Sequence, residues 1–119
     1  MDQDLKVVLS EEFAIEIFNL IDILQEKKCN PAIITQVLKS GTSIGANIAE
    51  SLYAESKDDF IHKLKISQKE AAETRFWLKL IFRKGYIDKE HYYDLEEKCL
   101  GLIRLIASIV KSTRTSQNV

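Results

Sequence analysis

Apolar residues recur along this chain at three- and four-residue steps in four successive blocks, the spacing of helices rather than strands. The block that organises the rest is ITQVLKSGTSIGANIAESLY, Ile34 to Tyr53. Ile34, Val37, Leu38, Ile44, Ile48, Ala49 and Leu52 keep helical spacing there, while Gly41, Gly45 and Ala49 stand four apart and line one side. Each interior glycine costs a helix ~1 kcal/mol against alanine, so the row reads as a strip where a neighbouring backbone packs closely. From Pro31 to Ala54 the only charges are Lys39 and Glu50. A helix with so little charge on any side is expected to be covered all round, by its own bundle and by a partner chain.

The other blocks complete an all-α reading. Residues 1–9 form a lead-in. Ser10 is the expected N-cap of a first helix over about 11–28, followed by Glu11 and Glu12 where the helix dipole favours negative charge. Its stripe is Phe13, Ile17, Leu20, Ile21 and Leu24, widened by Ala14, Ile15 and Phe18. Asn30-Pro31 stops that helix and starts a second over about 31–54, with Asn as cap and Pro in the first turn. Ser56 opens a third over about 57–84, whose seam is Phe60, Leu64, Ser67, Ala71, Thr74, Leu78 and Ile81. Ile66, Trp77 and Leu80 flank that seam. Gly85 suits a left-handed cap. Asp88 caps a fourth helix over about 89–112, seamed by Tyr92, Leu95, Cys99, Leu102, Ile106 and Ile109, and residues 113–119 are expected to fray. Short connections make an antiparallel up-down-up-down four-helix bundle the simplest topology, one domain across residues 1–119.

Composition narrows the function. The 119 residues suffice for one core, and a single Pro with four Gly leaves little turn chemistry for a β fold. No apolar run approaches a membrane span and the N-terminus lacks a signal-peptide core, so the expected location is the cytoplasm, with no membrane partner. Cys29 and Cys99 fit no metal spacing and are expected to be free thiols. The formal net charge of −1 gives no global attraction to nucleic acid, yet charge is segregated. Glu55–Gly85 holds eight basic against five acidic residues, and Ser10–Asn30 two against five. On the third helix Lys65, Lys69, Lys79 and Arg83 share one stripe, with Arg75 on its edge. That stripe is a candidate RNA or DNA contact. The competing reading is a solvated face, or one paired with the first helix's acids within or between subunits.

SGTSIGANIAES at 40–51 and SKDDFIHKLKISQKEAAETRFWLKL at 56–80 are long, unusual segments, and through them the chain resembles the bacterial four-helix-bundle family of 23S rRNA intervening-sequence proteins. The similarity covers roughly residues 10–112. It implies a four-helix bundle assembled as a homopentamer, with no established enzymatic activity. A related member is the accessory protein of diversity-generating retroelements, which binds a reverse transcriptase and nucleic acid; that relative is basic, whereas this chain is not. The expectation is a non-enzymatic homo-oligomeric scaffold or adaptor. The alternative is nucleic-acid binding beside a nucleic-acid-processing partner.

No constellation specifies a reaction. The glycines of SGTSIGAN lack the lysine, hydroxyl and preceding strand of a phosphate loop. Asp59/His62 and Asp88/His91 have a D-x-x-H spacing, but they fall in the first turns of antiparallel neighbours, at opposite ends of the bundle. Ser108 and Lys111 match S-x-x-K without partner motifs. The expectation is therefore no catalytic residue, no cofactor and no metal. Glu70, Glu73, Thr74 and Trp77, with Lys39 and Ser40 expected level with Glu70, read as a helix contact or subunit seam in preference to a ligand site. Glu73, Trp77 and Leu80 are the candidate subunit interface.

Overall fold

The computed structural model describes residues 4–116. Four helices follow in order: α1 (Leu5–Glu26), α2 (Pro31–Ser51), α3 (Lys57–Arg83) and α4 (Lys89–Thr115). Each packs against its two neighbours in a closed square, α1 on α2, α2 on α3, α3 on α4 and α4 on α1. The backbones of α1 and α3 stay apart, as do those of α2 and α4, so each pair occupies opposite corners. The bundle measures 52 × 27 × 23 Å.

Capping chemistry sets most of the helix limits. The Asn30 side chain accepts from Ala32 N–H at 2.8 Å with Pro31 in the first turn of α2. Ser56 Oγ accepts from Asp59 N–H at 3.0 Å, and Asp59 Oδ2 accepts from Glu55 N–H at 3.1 Å. Asp88 accepts from His91 N–H at 2.8 Å. Gly85 takes φ +90°, and Tyr86 N–H reaches back to Ile81 O at 3.1 Å to close α3. The end of α1 is closed in the same way by a lysine: Lys28 has φ 58°, and Cys29 N–H donates to Leu24 O at 2.9 Å.

The start of α1 departs from the sequence reading. Its N-cap is Asp4, not Ser10, and the first turns expected as lead-in are helical from Leu5. The buried stripe runs back through Ser10 to Lys6, two polar letters that concealed two turns of periodicity. Ser10 satisfies its hydroxyl by donating to Val7 O at 3.1 Å. Lys6 pairs with Asp4 at 2.7 Å and sits 5.6 Å from the Phe60 ring centre. At the other end α4 continues to Thr115, three residues past the expected limit; the rest of the expected frayed tail, 117–119, lies outside the described residues, as do residues 1–3 of the lead-in. α2 stops at Ser51, three residues short of the expected limit.

The core is made of Phe13, Ile17, Leu20 and Leu24 from α1, Val37, Ile44 and Ile48 from α2, Leu64, Leu78 and Ile81 from α3, and Leu95, Leu102 and Ile106 from α4. In α4 the last buried position is Val110, with Ile109 only half-buried. In α3 the first is Ile61, with Phe60 packed on its edge.

Candidate functional site

The glycine row of α2 faces α1. A Cβ on Gly41 would stand 2.8 Å from Ile17 Cγ1, and one on Gly45 3.3 Å from Ser10 Oγ and 3.4 Å from Ser10 O. Ala49, next in the row, is exposed. The opposite side of α2 meets α3 through small hydroxyl residues. Ser67 Oγ donates to Ile44 O at 2.8 Å, and Thr74 Oγ1 to Ser40 Oγ at 3.0 Å. Ser40 is therefore level with Thr74, one turn beyond the expected Glu70, and no Lys39–Glu70 ion pair occurs among the described residues. The uncharged letters of α2 thus divide between two seams, and its third side is open. Ala32, Thr35, Lys39, Ala46, Ala49 and Glu50 are exposed there, an outer surface of mostly short side chains.

On α3, Trp77 is half-buried, and its indole N–H donates to Glu73 Oε2 at 3.1 Å across one helical turn. Phe76 packs edge-on against it with ring centres 5.0 Å apart, yet remains 53% exposed; Leu80 is 38% exposed. Phase on the helix explains this: Phe76 and Leu80 lie on the outward line, while Trp77 turns toward α2. A groove of about 400 Å³ continues from Leu80 and Ile81 to Cys29, Ile33 and Tyr86, with Arg83 and Lys84 also lining it. Sequence reasoning named Leu80 and passed over Phe76.

Two further positions were placed wrongly. Ile15 and Phe18, expected to widen the buried stripe of α1, are 56% and 49% exposed. The square gives α1 only two neighbours, and Phe13, Ile17, Leu20 and Leu24 already fill those contacts. The sign that could have found them is their phase, since Ile15 and Phe18 share an outward line with Glu11 and Asp22.

The basic stripe divides. Lys65, Lys69, Lys79 and Arg83 are exposed and enter no ion pair among the described residues. Arg75 is committed elsewhere: its guanidinium grips Glu96 of α4 at 3.2 and 2.9 Å, and that bond holds its pKa above the ordinary value. The acids of α1 do not serve the stripe within the chain, because α1 and α3 sit at opposite corners. Glu16 instead pairs with Lys98 of α4 at 2.7 Å.

Nothing in this geometry assembles chemistry. Asp59 and Asp88 cap helices at opposite ends of the bundle. Among the described residues no three His, Cys, Asp or Glu side chains cluster as a metal site would require. Both cysteines are free and buried. Cys99 donates to Ala71 O at 3.2 Å, and burial first, then the charge of Glu96, pushes its thiol up to about 12 against a partly offsetting Arg75. A thiol so placed is a poor nucleophile. No described helix is long and apolar enough to cross a membrane.

The sequence profile of the 23S rRNA-intervening sequence proteins matches residues 3–108. The chain belongs to that family. A crystal structure from Bacteroides thetaiotaomicron, of a protein with unknown function from the S23 ribosomal protein family, superposes on it with a TM-score of 0.86. The two are 42% identical, over 89% of this chain and 98% of that one. No curated protein matches the chain. The matched region spans the α2 glycine row and the whole of α3, so the family's segment contains both the close-packed seam and the exposed Phe76–Leu80 line.

Proposed function

We propose that this member of the family is a non-enzymatic scaffold that works as a homo-oligomer; the family resemblance sets the number of subunits at five. The observation that carries the reading is the exposure of Ile15 and Phe18 on α1 and of Phe76 and Leu80 on α3, at opposite corners of one bundle. Single exposed apolar residues are ordinary, but paired ones on a helix line mark a surface that another molecule covers. Light scattering on the purified protein tests the reading. The expected mass is a multiple of 13.7 kDa at micromolar concentration, and a mass of 13.7 kDa defeats it.

A second reading is favoured by the four exposed, unpaired cations Lys65, Lys69, Lys79 and Arg83: nucleic-acid binding along α3, beside a nucleic-acid-processing partner. Such binding would weaken steeply with salt as counterions are released. Changing the four to Gln should abolish it with the helical signal intact, whereas no binding by the parent protein at low salt removes this reading.

A further inference from the structure

The structure assigns the exposed face of α1 to a contact with α3 of a second copy, in a fixed register; this rests on the homo-oligomer reading above. On α1 the outward line runs Glu11, Ile15, Phe18, Asp22, Glu26, apolar in the middle and acidic at both ends. On α3 it runs Lys65, Lys69, Phe76, Lys79, Leu80, Arg83, two apolar residues set among four bases. None of Glu11, Asp22, Glu26, Lys65, Lys69, Lys79 or Arg83 has an ion-pair partner among the described residues.

The relative heights of α1 and α3 follow from what α2 touches on each side. Ile17 faces Gly41, next to Ser40, which meets Thr74; Ser10 faces Gly45, next to Ile44, which meets Ser67. In both cases the α1 residue is level, to within about one residue or 1.5 Å, with the α3 residue 57 positions further along the chain. The two helices run parallel, because α2 lies antiparallel between them. Two copies related by rotation about an axis along the bundle keep these heights. Asp22 of one copy then meets Lys79 of the next and Glu26 meets Arg83, while Phe18 comes within one residue of the height of Phe76 and Glu11 within one residue of that of Lys69. Aromatic lies on aromatic, and each acid lies on a base. Because α1 and α3 occupy opposite corners, one chain offers both faces at once to two neighbours. Such a head-to-tail contact closes into a ring when the rotation permits. The apolar centre supplies the drive, and the charges set the register and exclude the inverted pairing. The same assignment takes the α3 stripe away from nucleic acid.

Charge reversal tests this with light scattering, and far-UV circular dichroism confirms the folds. One variant carries Glu11→Lys, Asp22→Lys and Glu26→Lys; the other carries Lys69→Glu, Lys79→Glu and Arg83→Glu. Each alone should fall to a 13.7 kDa species at low salt, since like charges then face each other. The sixfold variant should assemble like the parent, because every junction again pairs opposite signs, and the two variants mixed in equal amounts should associate in alternation, although a ring of five then leaves one like-charged junction. The proposal is overturned if the parent assembles but both reversed variants keep its mass. It is equally overturned if they dissociate and neither the mixture nor the sixfold variant recovers. Loss of low-salt RNA binding in the α3 variant at unchanged mass would award the stripe to nucleic acid instead. A parent protein that is itself monomeric defeats the oligomer reading first.

Discussion

Glycine carries opposite meanings at different positions in this chain. Gly41 lies under the side chain of Ile17, where an added Cβ would come within 2.8 Å of a stiff, branched neighbour. Gly101, midway along α4, has nothing within 4 Å. Gly41→Ala should therefore destabilise by about 1–3 kcal/mol through overpacking, despite the better helix former. Gly101→Ala should stabilise by about 0.5–1 kcal/mol, because only the entropy and propensity terms remain. Urea titration of the two variants checks the opposite signs; equal effects would mean that Gly41 is not in a tight contact. Cys99 supplies a pH dependence. Its thiol, ordinarily near 9, is pushed up to about 12 by burial, so the folded state favours the protonated form. That preference contributes fully below pH 9 and is lost as pH rises from 9 through 12. Over this window it costs up to about 1.4 kcal/mol of stability per pH unit. Cys99→Ala should flatten the alkaline fall in melting temperature, and labelling of Cys99 by a thiol reagent should proceed only at the rate of unfolding.

At the scale of the elements, the ends of the helices follow local chemistry wherever a capping residue stands next to the apolar period. Asn30-Pro31, Ser56, Gly85 and Asp88 are all of this kind. The start of α1 is not, because Ser10 looks like a cap and behaves as a packing residue under Gly45. The end of α1 uses Lys28 in the left-handed region where glycine is the usual choice, at a cost of about 1–2 kcal/mol. Lys28→Gly should recover part of that, raising the denaturation midpoint without changing its slope. A lower midpoint would mean that the lysine side chain stabilises the turn in some other way. The seam between α2 and α3 shows why sequence alone placed Glu70 one turn off. Its height is set by small hydroxyl residues packing across the two helices, Thr74 on Ser40 and Ser67 on Ile44, which no local spacing announces.

For the whole molecule, the square arrangement decides which surfaces remain. Every helix spends two sides on neighbours, and any apolar residue outside those sides is left to solvent or a partner. Leu80→Lys is expected to lower the oligomeric mass more than the melting temperature, because Leu80 is exposed, whereas Trp77→Glu should lower both, because Trp77 packs half-buried against the core. Light scattering and thermal melts on the same samples separate the two effects. A Leu80→Lys variant that unfolds before it dissociates would place that residue in the bundle core.

The number and order of the helices, most of their caps and the all-α class were legible in the residues, since periodicity and capping are local properties of neighbouring positions. Two long segments also pointed to the family. Which residues share a face across helices emerges only from the packing. Ile15 and Phe18 share the phase of Glu11 and Asp22, which hints at an outward line, but only the packing shows that α1 finds no neighbour on that side within the chain. Likewise the segregation of charge between the first and third helices could not tell a paired seam from two separated faces. The four helices close in a square, and the diagonal between α1 and α3 keeps the acids and the bases apart within one chain.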